Sequence, residues 1–223
     1  MFVGAGGHGS QFNPSKFPSV RVEKGGVLRQ KKRALDLFSG THSVGNRLKE
    51  LGYEVVSLDI RKNTRPTISC DVLEWDYKNI FRPGHFRVIA ASVPCTEYSQ
   101  AKTIGERDMK NADKLVACVF DIIEYLQPKF WWIENPRTGY LKDREIMQGI
   151  PFVDIDYCQF CDWGYKKPTR FSGPPEIAKL DPILCDKKEC PNMYMTTTGS
   201  KNMSICWADK GESPKGQDTP IGY

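Results

Sequence analysis

From Ala34 onward, short apolar runs alternate with amphipathic stretches, and this alternation limits the folds that the chain can adopt. The pattern is typical of a parallel sheet whose strands are joined by crossover helices. The predicted strands span residues 34–38, 54–58, 67–70, 87–92, 130–133 and 152–157. The predicted helices span residues 44–51, 107–127 and 141–147. We therefore expect an α/β domain with a mostly parallel central sheet.

Three regions of different composition divide the chain. Residues 1–33 are rich in Gly, Pro, Ser and charged side chains and end in a basic cluster, so we expect a flexible N-terminal arm. Residues 34–173 carry the alternating pattern and form the predicted main domain. Residues 174–223 contain Pro, Cys, Lys, Thr and Gly without clear periodicity, so we expect a small tail of loops with room for one hairpin.

Charge and hydropathy narrow the classes of protein to consider. The net charge is +5 and the isoelectric point is near 8.7, which is compatible with a polyanionic partner. No apolar run approaches the roughly eighteen residues that a membrane span needs. Residues 1–10 lack the charged and apolar regions of a signal peptide, so we expect an intracellular protein.

The eight cysteines are interpreted as thiols, because a chain without an export signal is not expected to form a disulfide framework. Four of them have spacings that a structural zinc site could use, namely Cys158-x-x-Cys161 and Cys185-x4-Cys190. A zinc knuckle would hold together a tail that is too short for a core of its own. The alternative, that these residues are ordinary core cysteines, stays open.

Reactive side chains follow two of the predicted strands. Pro94-Cys95 comes after the strand at 87–92, and Glu134-Asn135-Pro136 comes after the strand at 130–133. Since the carboxyl ends of parallel strands meet at one edge of a sheet, the thiol and the carboxyl group can converge on one substrate. The alternatives are a buried structural thiol for Cys95 and a helix cap or ion pair for Glu134.

The turn after the first strand has the features of a cofactor site. Ser39-Gly40-Thr41-His42-Ser43-Val44-Gly45 contains two glycines and precedes a helix, which suits a nucleoside-bearing cofactor lying against the backbone. Asp59 can accept hydrogen bonds from both ribose hydroxyls, and Asp71 can accept one from an adenine amino group. The glycine turn, Asp59 and Asp71 could each be explained without a ligand, as a plain turn or a helix cap. Their occurrence together after successive strands favours a cofactor site.

These segments resemble the motifs of a known family, the DNA (cytosine-5)-methyltransferases, and of their relatives that methylate transfer RNA. The segments that carry the resemblance are Asp36-Leu37-Phe38-Ser39-Gly40, Pro94-Cys95 and Glu134-Asn135-Pro136. The order of these segments and their separations are also similar to those of the family's motifs. The chain looks most like a short phage- or virus-like member of the family. The resemblance implies a Rossmann-like S-adenosylmethionine-dependent methyltransferase fold over residues 34–173. A viral chain of this kind would act in the cytoplasm or nucleus of its host cell.

The resemblance also implies a role for individual residues. Cys95 would attack C6 of cytosine, Glu134 would hydrogen-bond the ring at N3 and the exocyclic amine, and C5 would then accept a methyl group. Arg170 matches the second arginine of the family's Gln-Asn-Arg-x-Arg segment and is expected near the target base. The residues expected at the cofactor are Asp36, Phe38, Ser39, Gly40, Thr41, Gly45, Asp59, Asp71, Val72 and Pro94. Those expected to contact the substrate are Ser99, Asn135, Lys166 and Lys167.

Two departures from the family pattern leave alternatives open. Residues 174–223 contain nothing like the family's Gly-Asn-Ser-Val motif, which completes the cofactor pocket. A second polypeptide could complete it, the cofactor could be held less tightly, or the chain could be an inactive subunit that binds nucleic acid or assists assembly. The same residues leave room only for a reduced target-recognition region.

DNA is the expected substrate and partner, and RNA is the alternative. A small-molecule methyltransferase would explain the cofactor turn but not the pair of Cys95 and Glu134.

Overall fold

The computed structural model describes residues 32–160 and 167–186. Its centre is a seven-stranded sheet in the order β3-β2-β1-β4-β5-β7-β6. The strands are β1 (Arg33–Leu37), β2 (Glu54–Asp59), β3 (Ile68–Ser69), β4 (Val88–Ser92), β5 (Phe130–Pro136), β6 (Phe152–Asp156) and β7 (Pro168–Ser172). The helices are α1 (Ser43–Glu50), α2 (Tyr77–Ile80) and α3 (Met109–Leu126).

Five neighbouring strands, from β3 to β5, run parallel, whereas β7 runs antiparallel to both β5 and β6. The prediction of an α/β fold with a mostly parallel sheet is therefore confirmed. The carboxyl ends of β1, β2, β4 and β5 lie along one edge of the sheet, which we call the carboxyl edge. The antiparallel direction of β7 brings its first residues to that same edge.

Helix α3 covers one face of the sheet and supplies seven of the buried residues of the main core. Its apolar side chains recur at helical spacing, and seven of its residues are buried: Ala112, Val116, Val119, Phe120, Ile122, Ile123 and Leu126. The Asp108 side chain caps the helix by accepting a hydrogen bond from the Asn111 backbone N–H (2.9 Å). The helix ends at Leu126, and the next residue, Gln127, has a left-handed φ of 48° and directly precedes Pro128.

Helix α1 lies on the opposite face, where it buries Gly45 and Leu48. Leu48 packs in a small cluster with Ala34 and Val88. A Cβ at position 45 would come within 2.8 Å of Asp36 Oδ2, so only glycine allows α1 to approach the end of β1 this closely.

The structure corrects several predicted elements. β5 extends to Pro136 rather than ending at residue 133, because its last residues pair with β7. Residues 141–147 form two 3₁₀ turns instead of a helix, because Arg144 between them is extended. Helix α2 was not predicted, and β7 was not recognised as a strand. Of the region after Gly173, the described part holds a 3₁₀ turn at Pro175–Lys179 and one bridge between Ile155 and Ile183.

Several predictions fall on residues outside the described part. They are most of the N-terminal arm, Cys161, Lys166, Cys190 and most of the tail. Within residues 32–160 and 167–186, no helix is long and apolar enough to cross a membrane. The proposed boundaries of the arm, the main domain and the tail stay predictions.

Candidate active site

Cys95 lies in the loop that leaves β4 at the carboxyl edge. Val93 is buried, Pro94 is exposed and Cys95 is partly exposed, so the chain emerges from the core within three residues. The Cys95 carbonyl accepts a hydrogen bond from the Tyr98 backbone N–H (3.0 Å), which closes a tight turn around the thiol. The side chain of Cys95 is thus presented by a fixed turn rather than packed in the core.

Glu134 lies on β5 beside the last residue of β4. Its Cα is paired with that of Ser92, and the Ser92 hydroxyl donates a hydrogen bond to Glu134 Oε2 (3.3 Å). Since Cys95 follows Ser92 by three residues, the thiol and the carboxyl group leave adjacent strands at the same edge. The expected convergence of these two strand ends on the carboxyl edge is therefore present.

Lys167, directly before β7, completes the surroundings of Glu134. Its Nζ donates to Glu134 Oε1 (3.2 Å), and the ammonium also lies over the ring of Tyr157 (4.9 Å to the centroid). The Glu134 side chain is only 12% exposed and that of Lys167 28% exposed, so the pair is partly shielded from solvent. Sequence reasoning expected Lys167 to contact substrate, whereas here its ammonium faces the Glu134 carboxyl group.

Asn135 connects β5 to the loop that carries Cys95. Its Nδ2 donates to the backbone carbonyl of Val93 (3.1 Å), and the residue is 6% exposed. Asn135 Oδ1 is buried without a hydrogen-bond partner. This amide therefore holds the residue that precedes Pro94-Cys95, in addition to any role at the substrate.

Arg170 lies on the other face of the sheet from Glu134. Glu134 is paired with Phe171, and Asn135 is paired with Arg170, so Arg170 points to the face opposite Glu134. Its guanidinium makes two hydrogen bonds to Asp154 (2.8 and 2.9 Å) and stacks on the ring of Phe152 (3.5 Å to the centroid). The predicted contact between Arg170 and the target base stays a prediction.

Asp36 and Ser39 place buried polar atoms at the end of β1. Both carboxylate oxygens of Asp36 and the Ser39 hydroxyl are buried without a hydrogen-bond partner. Burial raises the pKa of Asp36 from 3.8 to about 7, an effect that the nearby Gly45 N–H and His42 partly offset. Unsatisfied buried polar groups are costly, and a bound ligand with donor groups would satisfy them.

The turn after Ser39 is held by Asp59 from the end of β2. Asp59 is 5% exposed and accepts hydrogen bonds from the Gly40 N–H (2.8 Å) and the Arg61 N–H (2.8 Å). Gly40 has a φ of 49°, a left-handed conformation that favours glycine. The His42 ring Nε2 donates to the Thr64 carbonyl (2.6 Å), which fixes the far side of the turn.

Of the remaining predicted cofactor residues, Phe38 and Thr41 lie between β1 and α1, and Asp71 and Val72 follow β3. Phe38 has a φ of 57° and packs against the main core. The Thr41 hydroxyl lies 3.5 Å from that of Ser43. The Asp71 side chain caps a 3₁₀ turn by accepting a hydrogen bond from the Leu73 N–H (3.0 Å), and Val72 is buried. The orphaned oxygens of Asp36 and Ser39, the glycine turn and the acid after β2 together suit the polar groups of a nucleoside-bearing cofactor.

The loop after Cys95 is ordered by Arg107. Its guanidinium donates to the carbonyls of Glu97 (2.8 Å), Ser99 (2.7 Å) and Lys102 (2.9 Å). The Glu97 carboxylate pairs with Lys102 and also accepts from the Asp108 N–H (2.7 Å). These hydrogen bonds lower the pKa of Glu97. The Ser99 hydroxyl, expected at the substrate, accepts a hydrogen bond from the Ala101 N–H (3.2 Å).

The described residues contain no group of three or more His, Cys, Asp or Glu side chains placed to hold a metal ion. Cys158 is buried after β6, and Cys185 is partly exposed. Because Cys161 and Cys190 lie outside the described residues, the zinc knuckle stays a prediction.

Sequence reasoning missed two residues of the site. Ser92 is the last residue of the strand that leads to Cys95, but its position opposite Glu134 depends on the register of β4 against β5, which the sequence does not give. Tyr157, whose ring lies beneath the Lys167 ammonium, had no sequence signal, since this contact depends on the pairing of β6 with β7.

Comparisons with known proteins identify the family of the chain. Residues 33–147 match the family model described as "C-5 cytosine-specific DNA methylase", which is more than half of the chain. The chain is 37% identical over 193 residues to a "Probable DNA (cytosine-5)-methyltransferase" of Frog virus 3 (isolate Goorha). That alignment covers 80% of this chain and 87% of the viral protein.

Solved structures give more distant likenesses. The Dnmt2 methyltransferase of S. pombe is 12% identical with a TM-score of 0.43, and the match covers 77% of this chain and 59% of that one. A mutant of Spodoptera frugiperda DNMT2 is 13% identical with a TM-score of 0.47, covering 70% of this chain and 55% of that one. These likenesses are too distant to carry an argument about function. The family model and the viral relative are sufficient: the chain belongs to the C-5 cytosine-specific DNA methylase family.

Proposed function

We propose that this chain transfers a methyl group from S-adenosylmethionine to C5 of cytosine in DNA, through a covalent adduct between Cys95 and C6 of the base. The observation that carries the proposal is the pairing of Ser92 with Glu134, which puts the carboxyl group beside the strand that leads into Cys95. An adjacent thiol and carboxyl group are what addition across the C5–C6 bond of cytosine requires.

The chemical roles of the chain's own residues follow from their positions. The Cys95 thiolate forms the C6–S bond, and the electron pair displaced from the C5–C6 double bond makes C5 nucleophilic. Glu134 in its protonated form donates a hydrogen bond to the ring at N3, where negative charge develops. Ser92 and Lys167 donate to the oxygens of the same carboxyl group and hold it in place. After methylation, loss of the C5 proton restores the double bond and expels the Cys95 thiolate. The target base must leave the duplex for C6 to reach the thiol.

The residues proposed to hold the cofactor are Asp36, Ser39, Gly40 and Asp59, with Phe38, Thr41, Gly45, Asp71, Val72 and Pro94 around them. When bound, S-adenosylmethionine supplies the electrophilic methyl group. Asp36 and Ser39 offer buried oxygens for its donor groups, and the left-handed Gly40 lets the backbone of the turn approach a ligand closely. A second polypeptide that completes this pocket stays a prediction.

Trapping on modified DNA tests the proposal. The full chain is incubated with labelled S-adenosylmethionine and a duplex that contains 5-fluorocytosine, which cannot lose its C5 substituent. We expect a complex that survives denaturation and carries the label, and we expect Cys95→Ala to abolish it. Cys118→Ala, which changes a thiol on α3, is the matched control and should leave the complex intact.

The alternatives predict different results in the same experiment. An inactive DNA-binding subunit would retain the duplex without forming a covalent complex. A methyltransferase for RNA would trap only a 5-fluorocytosine RNA. If the wild-type chain neither binds the cofactor nor forms an adduct, alone or with cell extract added, the proposal is wrong.

A further inference from the structure

A basic cleft lies at the amino-terminal ends of β1, β4 and β5, on the edge of the sheet away from Cys95. Its volume is about 450 Å³. Six basic side chains line it: Lys32, Arg33, Arg82, His85, Arg87 and Lys129. They come from three separate segments of the chain, so the fold rather than the local sequence brings them together.

The positive charge of the basic cleft is poorly neutralised. Arg33 pairs with Glu54 (3.3 Å between Nε and Oε2). Among the residues that the structure describes, no carboxylate pairs with Arg82, Arg87 or Lys129. All three are exposed, so their charges face one open space. Several like charges lining one cleft repel each other, and an anion placed among them would relieve that repulsion.

His85 lines the basic cleft, and the positive charges there affect its pKa. Its pKa is lowered, first by burial and then by the guanidinium groups of Arg33 and Arg82, whereas Glu54 acts in the opposite direction. The imidazole packs against the rings of Phe81 and Phe86, each with its centroid 4.8 Å away, and these two rings also contact each other. A bound anion would counteract the effect of the two arginines on His85. The pKa of His85 should therefore rise when the basic cleft is occupied.

We propose that the basic cleft binds the phosphate backbone of nucleic acid, as a contact separate from the carboxyl edge. Proteins bind backbone phosphates mainly through charge and do not need a closely fitting pocket for them. Exposed charges on long side chains therefore suit this ligand. The five residues of β4 alone separate Arg87 from the loop of Cys95 by about 17 Å. A DNA segment whose base reaches Cys95 lies against the other edge, so the basic cleft engages a second segment. This inference is independent of methyl transfer.

Binding of the full chain to a duplex of dA·dT tests the inference, because such a duplex has no cytosine for the carboxyl edge to capture. We expect Arg82→Glu and Arg87→Glu each to weaken binding about tenfold at low salt and to reduce the salt slope by about 1. Lys114→Glu makes the same charge change on the exposed side of α3 and should weaken binding less than about threefold. Equal losses for all three variants would show a general charge effect and overturn the inference.

The NMR titration of His85, assigned with His85→Gln, gives a second readout that does not depend on affinity. The dA·dT duplex should raise the pKa of His85 in the wild-type chain, and should fail to do so in Arg82→Glu. An unchanged titration in the presence of saturating duplex would contradict the inference. Inorganic pyrophosphate separates the two sources of phosphate. If it displaces the duplex at concentrations near the duplex's own dissociation constant, the cleft is a site for free phosphates and not for nucleic acid.

Discussion

The side-chain amide of Asn135 donates a hydrogen bond to the backbone carbonyl of Val93, 3.1 Å away, and so ties β5 to the loop that presents Cys95. The bond is buried, so water does not readily replace it. Of the residues next to Glu134 in sequence, Asn135 is thus the one that holds the loop of Cys95, the proposed nucleophile.

Replacing Asn135 should impair catalysis more than binding. Asn135→Ala leaves the Val93 carbonyl buried without a donor, which costs about 1–3 kcal/mol and frees the loop before Cys95. We expect kcat to fall roughly tenfold to a hundredfold while KM for the cofactor changes little. Asn79→Ala is the matched control, because it removes an exposed amide that bonds to Asp76. A loss in Asn135→Ala confined to KM would contradict a positioning role.

The ion pair between Lys167 and Glu134 should matter for adduct formation. Lys167→Met leaves the shielded Glu134 carboxyl group without its charged partner, and we expect the rate of trapping on 5-fluorocytosine DNA to fall about tenfold, or about 1.4 kcal/mol. Lys167→Arg keeps the charge and should recover most of the rate. The exposed pair of Lys142 and Asp143 offers a control, since Lys142→Met should have no measurable effect. Equal rates for the wild-type chain and Lys167→Met would exclude this role.

Asp36 should make the stability of the protein depend on pH. Because its pKa is raised to about 7 from 3.8, the folded chain keeps a proton on Asp36 that the unfolded chain has already released. Between about pH 4 and pH 7 the contribution of Asp36 to the free energy of unfolding therefore decreases as the pH rises, by roughly 4 kcal/mol at most.

Urea unfolding at pH 5 and pH 8 measures this contribution. The stability of Asp36→Asn relative to wild type should increase between the two pH values, because only the wild-type residue becomes charged in the buried site. Asp76→Asn, at an exposed carboxylate, is the control and should show no such change. A parallel decrease for wild type and Asp36→Asn would contradict the assignment.

Tyr98 should stabilise the fold behind the Cys95 loop. Tyr98 is fully buried, and its hydroxyl donates to Asp113 (2.9 Å), which also accepts from the Arg144 guanidinium (3.1 Å). We expect Tyr98→Phe to lower the free energy of unfolding by about 1–3 kcal/mol, because the charged acceptor loses a buried donor. Tyr125→Phe removes a more exposed hydroxyl that bonds to the Lys78 carbonyl and should cost clearly less. Comparable losses for the two variants in urea unfolding would contradict this role.

The sequence was sufficient to predict the parallel half of the sheet and α3, because their apolar residues follow a local period. It was also sufficient to predict that Cys95 and Glu134 lie at the same edge of the sheet, whereas the direct pairing of their strands comes from the structure. It was not sufficient for β7, which begins with a proline and has mixed polarity. Its strand conformation comes from pairing with β5 and β6 on either side. The partners of Lys167 and Arg170 could not be predicted either, since both depend on the register of β7.

The direction of β7 has a consequence for how this site can vary. Because β7 runs antiparallel to β5, it begins at the edge where β5 ends, and so Lys167 reaches Glu134 across 33 residues of sequence. The side of the site that Lys167 forms can therefore change independently of the other side. Changes at the start of β7 can alter the surroundings of Glu134 while the parallel strands that carry Cys95 and the cofactor turn keep their sequence and their pairing.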